Sequence, residues 1–591
     1  MTAFASRSLP FALLALAAAG CSRSFWASAG RAISDAIDDA ADAQRPAYQR
    51  PALLPETRAE RARYLETSRY ADVVAFLDSL QRLGAPIWVG AIGRSSEGRE
   101  IPYVVASRPL VATPAEARRL GRPVVYVQAN IHAGEVEGKE ALQALVRDLV
   151  ADPRPDALDS LVLIAVPIYN ADGNERVASQ SRNRTEQNGP ELVGERANGQ
   201  GLDLNRDYVK AEATETRGSL AMFNLWDPDV FVDLHTTDGS FHGYALTYAP
   251  PLDPAAGPAA QWTRDSLLPA LRERVRARRG FATFEYGNFS FEYGADSPTD
   301  TLKRGWYSYD HRPRFGTNYY GLRNRAAVLS EAYSHDPFER RVRATYAFVA
   351  ELLSLVAERG ARLVELSRDG DALVGSAEGC SALAVRGAAG PFRRCLLVPL
   401  RSTLGPARDT EPVVVEDLVR TGDSTLTEPG VPRGLRRTAR FRTLQLPVFT
   451  RFAPELGRPL PAAYALPGDS GAVTLLRLHG VRVERLTADW RADVETFVID
   501  SVARAPRPFQ GHHEVTLVGH WRADPARTLS AGTYLVPTAQ PLGVLAARLL
   551  EPESDDGLTT WNAFDAALRP GGEHPVVRLV QPVTAPRRAV P

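Results

Sequence analysis

The chain has 591 residues, 44% apolar and 24% charged, and its 70 basic and 70 acidic side chains cancel. That composition excludes wholesale disorder, and zero net charge gives no global pull toward nucleic acid. Three cysteines exclude a disulfide-built scaffold and no CxxC pair offers a thiolate zinc site, so the chain reads as an enzyme-sized protein of about two to four domains.

Residues 1–20 carry one positive charge, Arg7, ahead of an apolar run from Leu9 to Gly20. The run is too short to span a bilayer and suits a secretory signal. It ends in Ala18-Ala19-Gly20-Cys21, small residues leading into a cysteine, which resembles the lipobox of bacterial lipoproteins. Lipidation of Cys21 would tether the protein by acyl chains, its single membrane contact, on the periplasmic or exterior side. Plain secretion is the alternative. An exported compartment permits disulfides, and Cys380 and Cys395 are spaced for a hairpin-sized bridge. Residues 21–57 read as a tether.

From Arg58 to Leu83 the apolar spacing is helical. The turn GRSSEGR (Gly93–Arg99) then precedes a strand, IPYVVAS. VVYVQAN (Val124–Asn130) is a continuous apolar run suited to a buried parallel strand, and it leads into an amphipathic helix. LVLIAVPIY (Leu161–Tyr169), DVFVDLH (Asp229–His235) and RAAVLSEAYS (Arg325–Ser334) repeat the strand pattern. Strands alternating with helices predict an α/β domain over residues 58–360, with a mixed, mostly parallel sheet flanked by helices. Residues 361–591, with short β-type runs and frequent Pro and Gly, predict a mainly β region with a late helix around Gly543–Leu550.

Chemistry-bearing residues fall at the expected strand ends, where ligands bind in open α/β sheets. His132-Ala-Gly-Glu135 offers an imidazole and a carboxylate at a strand-to-helix turn, and His235 ends DVFVDLH. Together they make a His2Glu set that would leave a fourth zinc position open for water. GLDLNRDY holds Asn205 and Arg206, whose planar fork matches a carboxylate, and Glu331 follows the apolar run AAVLS.

The ordered set HxxE, DxNR, a later His and a strand-borne Glu resembles the zinc carboxypeptidase family (M14-type metallopeptidases) over roughly residues 58–355. GRSSEGREIP and VPIYNADG are similar to family stretches as well. The resemblance implies one zinc held by His132, Glu135 and His235, with Asp203 orienting His132. It implies Asn205 and Arg206 as the holders of a substrate's terminal carboxylate, and Glu331 as the group that takes a proton from water and passes it to the leaving amine. A cation for the developing oxyanion would be Arg184, with Arg182 in reserve. A tyrosine closing over the substrate would be Tyr309, with Tyr307, Tyr319 and Tyr320 competing for that role.

One departure bears on the substrate. Asp207 follows Arg206 where the family's commonest motif has Asn, and a carboxylate there would weaken anion recognition unless turned away or paired. The expected activity is removal of C-terminal residues from peptides. The alternatives are an amidohydrolase acting on N-acyl amino acids or peptidoglycan stem peptides, and a non-catalytic peptide-binding lipoprotein. The strings LEPESDDG (Leu550–Gly557) and WNAFD (Trp561–Asp565) carry no chemistry legible in the sequence.

Overall fold

The computed structural model describes residues 54–152, 156–289, 305–377, 379, 395–421, 431, 435–468 and 471–590. The signal segment, most of the tether, Cys21 and Cys380 lie outside the described residues. Cys395 is disulfide-bonded.

An eight-stranded sheet forms the first half of the molecule. Its strands are β1 (Ile87–Arg94), β2 (Glu100–Ala106), β3 (Val124–Ala129), β4 (Val162–Val166), β5 (Val230–Thr236), β6 (Leu246–Ala249), β7 (Thr283–Glu285) and β8 (Ala326–Ala332). Their spatial order is β1-β2-β4-β3-β5-β8-β6-β7. The four central strands, β4, β3, β5 and β8, run parallel, and β2 and β6 flank them antiparallel. Every residue of the four is buried, which is why they read as unbroken apolar runs.

Helices cover the sheet. The periodic stretch after Arg58 is a short helix, Arg58–Arg61, and then α1 (Tyr70–Arg82). α2 (Glu137–Ala151) packs so tightly on β5 that a Cβ on Gly138 would stand 2.8 Å from Leu234 Cβ. α3 (Thr214–Trp226) and α4 (Leu268–Arg279) add to the cover. α5 runs for 38 residues, Phe338–Gly375. It therefore crosses the boundary expected at residue 360, because Leu363, Leu366 and Val374 keep its apolar face buried beyond that point. Among the described residues no helix is long and apolar enough to cross a membrane.

The remainder is mainly antiparallel strand, with a short helix at Ala472–Leu478 and α6 (Gly543–Leu550) at the position the sequence predicts. β9 (Thr410–Arg420) and β10 (Leu435–Phe449) form a hairpin that extends the strand Trp306–Tyr307. β11 (Trp490–Arg504) and β12 (Val515–Leu529) are the long hairpin at the edge of a seven-stranded sheet. The two halves share one core. Tyr126, Tyr208, Phe223, Tyr319 and Tyr320 pack in the same cluster as Val398, Leu460, Tyr464, Leu476, Leu545 and Trp561.

Candidate metal centre

Two of the site's side chains are delivered by strand register. β8 lies beside β5 with Glu331 opposite His235, so both side chains leave the sheet on the same face at the same level. A third element joins them after β3. Asn130 takes a left-handed φ of 65°, a conformation Asn tolerates, and turns the chain so that His132 and Glu135 precede α2. Thr236 N then donates to Glu135 Oε2 at 3.1 Å, tying the turn to the end of β5.

His132 Nδ1 is 3.0 Å from Glu135 Oε1, His235 Nδ1 is 3.0 Å from Glu135 Oε2, and the two Nδ1 atoms are 3.3 Å apart. Each imidazole turns its other nitrogen to a carboxylate. His132 Nε2 is 3.0 Å from Asp203 Oδ1, and His235 Nε2 is 3.0 Å from Asp233 Oδ2. A cation taken up between them would claim the Nδ1 lone pairs, and the outer carboxylates, which can only accept, would keep the proton on each Nε2. Two imidazole nitrogens and a carboxylate thus converge in a buried space, a donor set suited to a cation. Tetrahedral zinc with nitrogen bonds of 2.0–2.1 Å separates its ligands by about 3.3 Å, the spacing found here. The donor set fits zinc, and outer carboxylates on both histidines are what a zinc-binding imidazole needs to hold its tautomer.

Burial opposes charge on His235, yet Asp233 and Glu135 outweigh it and hold its pKa well above the usual imidazole value. Burial also opposes charge on Glu135, but His132 and Arg184 pull its carboxyl well below the ordinary range. Glu331 goes the other way. Burial raises its pKa well above the ordinary carboxylate range, and neighbouring Glu135 and Asp238 add to the rise against His235. No protein group among the described residues donates to Glu331 Oε2, although the side chain is only 7% exposed.

These groups line a pocket of about 430 Å³ together with Asn205, Arg206, Tyr309 and Arg184. Arg206 makes no ion pair among the described residues. Its Nη1 donates to the Asn205 carbonyl, and its guanidinium lies 4.0 Å from the Phe315 ring. Asp207 is turned away and satisfied: it takes Lys210 Nζ at 2.8 Å and the amides of Glu212 and Ala213. Arg184 is buried, with Nη2 on the carbonyls of Thr236 and Thr237 and Nη1 2.5 Å from Glu186 and 3.4 Å from Glu135. Its reserve, Arg182, is on the surface. Of the four tyrosines only Tyr309 lines the pocket, as a buried wall residue donating to Asn318 Oδ1 at 3.4 Å. Tyr319 and Tyr320 are core residues bonded to His479 and Ser219, and Tyr307 stacks on Phe449.

Sequence reasoning missed several lining residues. Arg196 reaches Asp203 Oδ2 at 2.9 Å and Glu135 Oε1 at 3.5 Å. Tyr286, Phe315, Leu329 and Asp238 complete the walls. Only Asp233 carried a legible signal, since it sits two residues before His235 on the same face of β5.

Residues 73–238 match the family described as zinc carboxypeptidase, Peptidase M14. The chain is 23% identical over 509 residues to carboxypeptidase 2 of Trichophyton equinum, covering 82% of this chain and 81% of that relative. A span of that length runs past α5 into the C-terminal β region. Carboxypeptidase M of Mus musculus is 30% identical over 227 residues, covering 37% of this chain and 47% of its own. Among solved structures, a metallo-carboxypeptidase from Burkholderia cenocepacia aligns at 18% identity with a TM-score of 0.35, over 50% of this chain and 70% of that one.

Proposed function

We infer that this chain is a zinc metallocarboxypeptidase of the M14 family, removing residues from the C-termini of peptides. The observation that carries the reading is the convergence of His132, Glu135 and His235, whose ligand atoms lie within 4.8 Å of one another, beside Glu331, whose Oε2 has no donor among the described residues. His132, Glu135 and His235 would hold zinc, which would supply a water of pKa near 7 and polarise the scissile carbonyl.

The protein's own groups do the rest. Arg206 and Asn205 hold the substrate's terminal carboxylate; among the described residues the guanidinium makes no ion pair, and its fork is open to that anion. Glu331 Oε2 accepts the proton of the attacking water and returns it to the departing amine. Its raised pKa brings the carboxyl closer to the working pH, which suits a group that must both take and give a proton. Arg184 stands beside Glu135 as a buried positive charge for the oxyanion. Asp203 and Asp233 keep the imidazoles in the metal-binding tautomer. The side chain of the terminal residue enters the wall of Tyr286, Tyr309, Phe315 and Leu329, which selects apolar residues.

Export with a lipid anchor at Cys21 is part of the same proposal. Its support is the apolar run ending in Ala18-Ala19-Gly20-Cys21 and the disulfide at Cys395, a bond that persists in oxidising compartments. Incorporation of a labelled fatty acid, lost in Cys21→Ser, tests it; equal labelling of both proteins refutes it.

The activity is tested with matched peptides bearing free and amidated C-termini, read by mass spectrometry. Ladders shortened one residue at a time from free ends only are expected. Internal cuts, or equal cutting of amides, refute the carboxylate role of Arg206. Cleavage of N-acyl amino acids but not peptides would turn the reading to an amidohydrolase.

A further inference from the structure

We propose that the C-terminal β region builds the carboxylate-binding end of the active site, with Asp556 as its positioning residue acting through Arg314. The proposal rests on the reading of Asn205 and Arg206 as the carboxylate pair.

Arg314 lies in the loop between Tyr309 and Gly316 and is 3% exposed. All its side-chain partners among the described residues come from beyond residue 500. Asp556 Oδ1 accepts from Nε at 3.0 Å, and Oδ2 accepts the Arg314 backbone N–H at 2.6 Å. Glu514 Oε1 is 2.6 Å from Nη1, and the guanidinium stacks 4.6 Å from the Trp561 ring. Trp561 Nε1 in turn donates to Asp556 Oδ1 at 2.9 Å, fixing the carboxylate it shares with Arg314. Asp555 makes a second grip, with Oδ2 3.0 Å from His311 Nε2 and Oδ1 2.8 Å from Arg548. LEPESDDG and WNAFD, chemically silent in the sequence, are this clamp.

The other side of the same loop faces the substrate. Phe315 presents its ring to the Arg206 guanidinium at 4.0 Å, and Gly316 N donates to Asn205 Oδ1 at 2.9 Å. There is no slack, because a Cβ on Gly316 would stand 2.8 Å from the Tyr208 ring. The tip of the β11–β12 hairpin also touches the motif, with Gln510 Oε1 accepting Asp203 N at 2.9 Å. Arg206 and Asn205 are therefore aimed through Arg314, which Asp556, about 350 residues downstream of them, holds by its guanidinium and its backbone N–H together. Two grips on one residue, side chain and backbone, fix the direction of the loop as well as its distance.

The test uses the full-length, zinc-loaded enzyme and one peptide with a free C-terminus. Asp556→Asn, which keeps an acceptor but loses the charge, is expected to raise KM about tenfold or more while kcat stays within about threefold. In an Arg206→Ala background the same substitution is expected to add less than about twofold, because the group it aims is gone. Glu514→Gln, at a partly exposed position, gives a smaller KM rise and serves if Asp556→Asn does not fold. A fall in kcat and zinc content with KM unchanged, or effects that multiply in the double variant, overturn the proposal and leave Asp556 a docking residue. Loss of free-end preference in Arg206→Ala with normal KM in Asp556→Asn overturns the positioning role alone. Unchanged preference in Arg206→Ala overturns the carboxylate reading and the positioning proposal together.

Discussion

Replacing Asp233 by Asn isolates the contribution of an outer carboxylate to metal binding without changing side-chain size. Asp233 is fully buried on β5, with Oδ2 3.0 Å from His235 Nε2 and Oδ1 accepting Gln128 Nε2 at 3.1 Å. An Asn there has one acceptor where two are needed. If its oxygen stays on Gln128, its NH2 faces His235 Nε2 and favours the tautomer with the proton on Nδ1, pointing at the metal site. If its oxygen turns to His235, the bond from Gln128 is lost and the imidazole is still less basic than before. Either outcome weakens the ligand. Loss of an outer partner costs about 10- to 100-fold in metal affinity, or roughly 1.4–2.7 kcal/mol. The assay is zinc competition against a chromogenic chelator at neutral pH, with activity measured at saturating zinc to show that the variant still folds. Wild-type zinc affinity in Asp233→Asn would refute the tautomer reasoning and, with it, the assignment of Nδ1 as the metal-facing atom.

Three other outcomes follow from the same geometry. Glu331→Gln is expected to lower kcat about 10²- to 10⁴-fold with zinc content unchanged, since an amide cannot shuttle a proton. The zinc-free variant should also melt higher than wild type, because burial disfavours the charged carboxylate that Gln replaces. A kcat within tenfold of wild type would remove Glu331 from the chemistry. Burial lowers the pKa of His479 to about 4, against the bond its ring makes to the Val209 carbonyl, so between pH 6.5 and 4 the unfolded chain binds a proton the folded one refuses. The stability advantage of wild type over His479→Gln should then shrink by about 1 kcal/mol per pH unit as pH falls through that window. Urea unfolding at pH 7 and 5 measures it, and an unchanged difference counts against a neutral buried ring. Finally, peptides ending in Phe or Leu should be hydrolysed faster than those ending in Asp or Lys, as the wall of Tyr286, Tyr309, Phe315 and Leu329 dictates. A preference for charged ends would move the side-chain pocket elsewhere.

The chain by itself determined the strands and the metal donors. Fully buried parallel strands have to be continuous apolar runs, so β3, β4, β5 and β8 stand out in one dimension. Chemistry at their C-terminal ends falls next to those runs, which makes His132, Glu135, His235 and Glu331 legible from local sequence alone. Pairing was not legible. That β8 sets Glu331 beside His235 is a fact of register between strands about a hundred residues apart. Nor could local sequence show that Asp207 turns inward to Lys210, or that Tyr309 is the one of the four tyrosines to line the pocket. The C-terminal half withheld most, because its role is carried by ion pairs across an interface. Asp556 and Arg314 have no meaning apart, and only the shared core that packs Trp561 with Tyr208 brings them to 3 Å. Periodicity reports which face a segment buries; it does not report which segment it is buried against, and that choice is made by the packing of the whole chain.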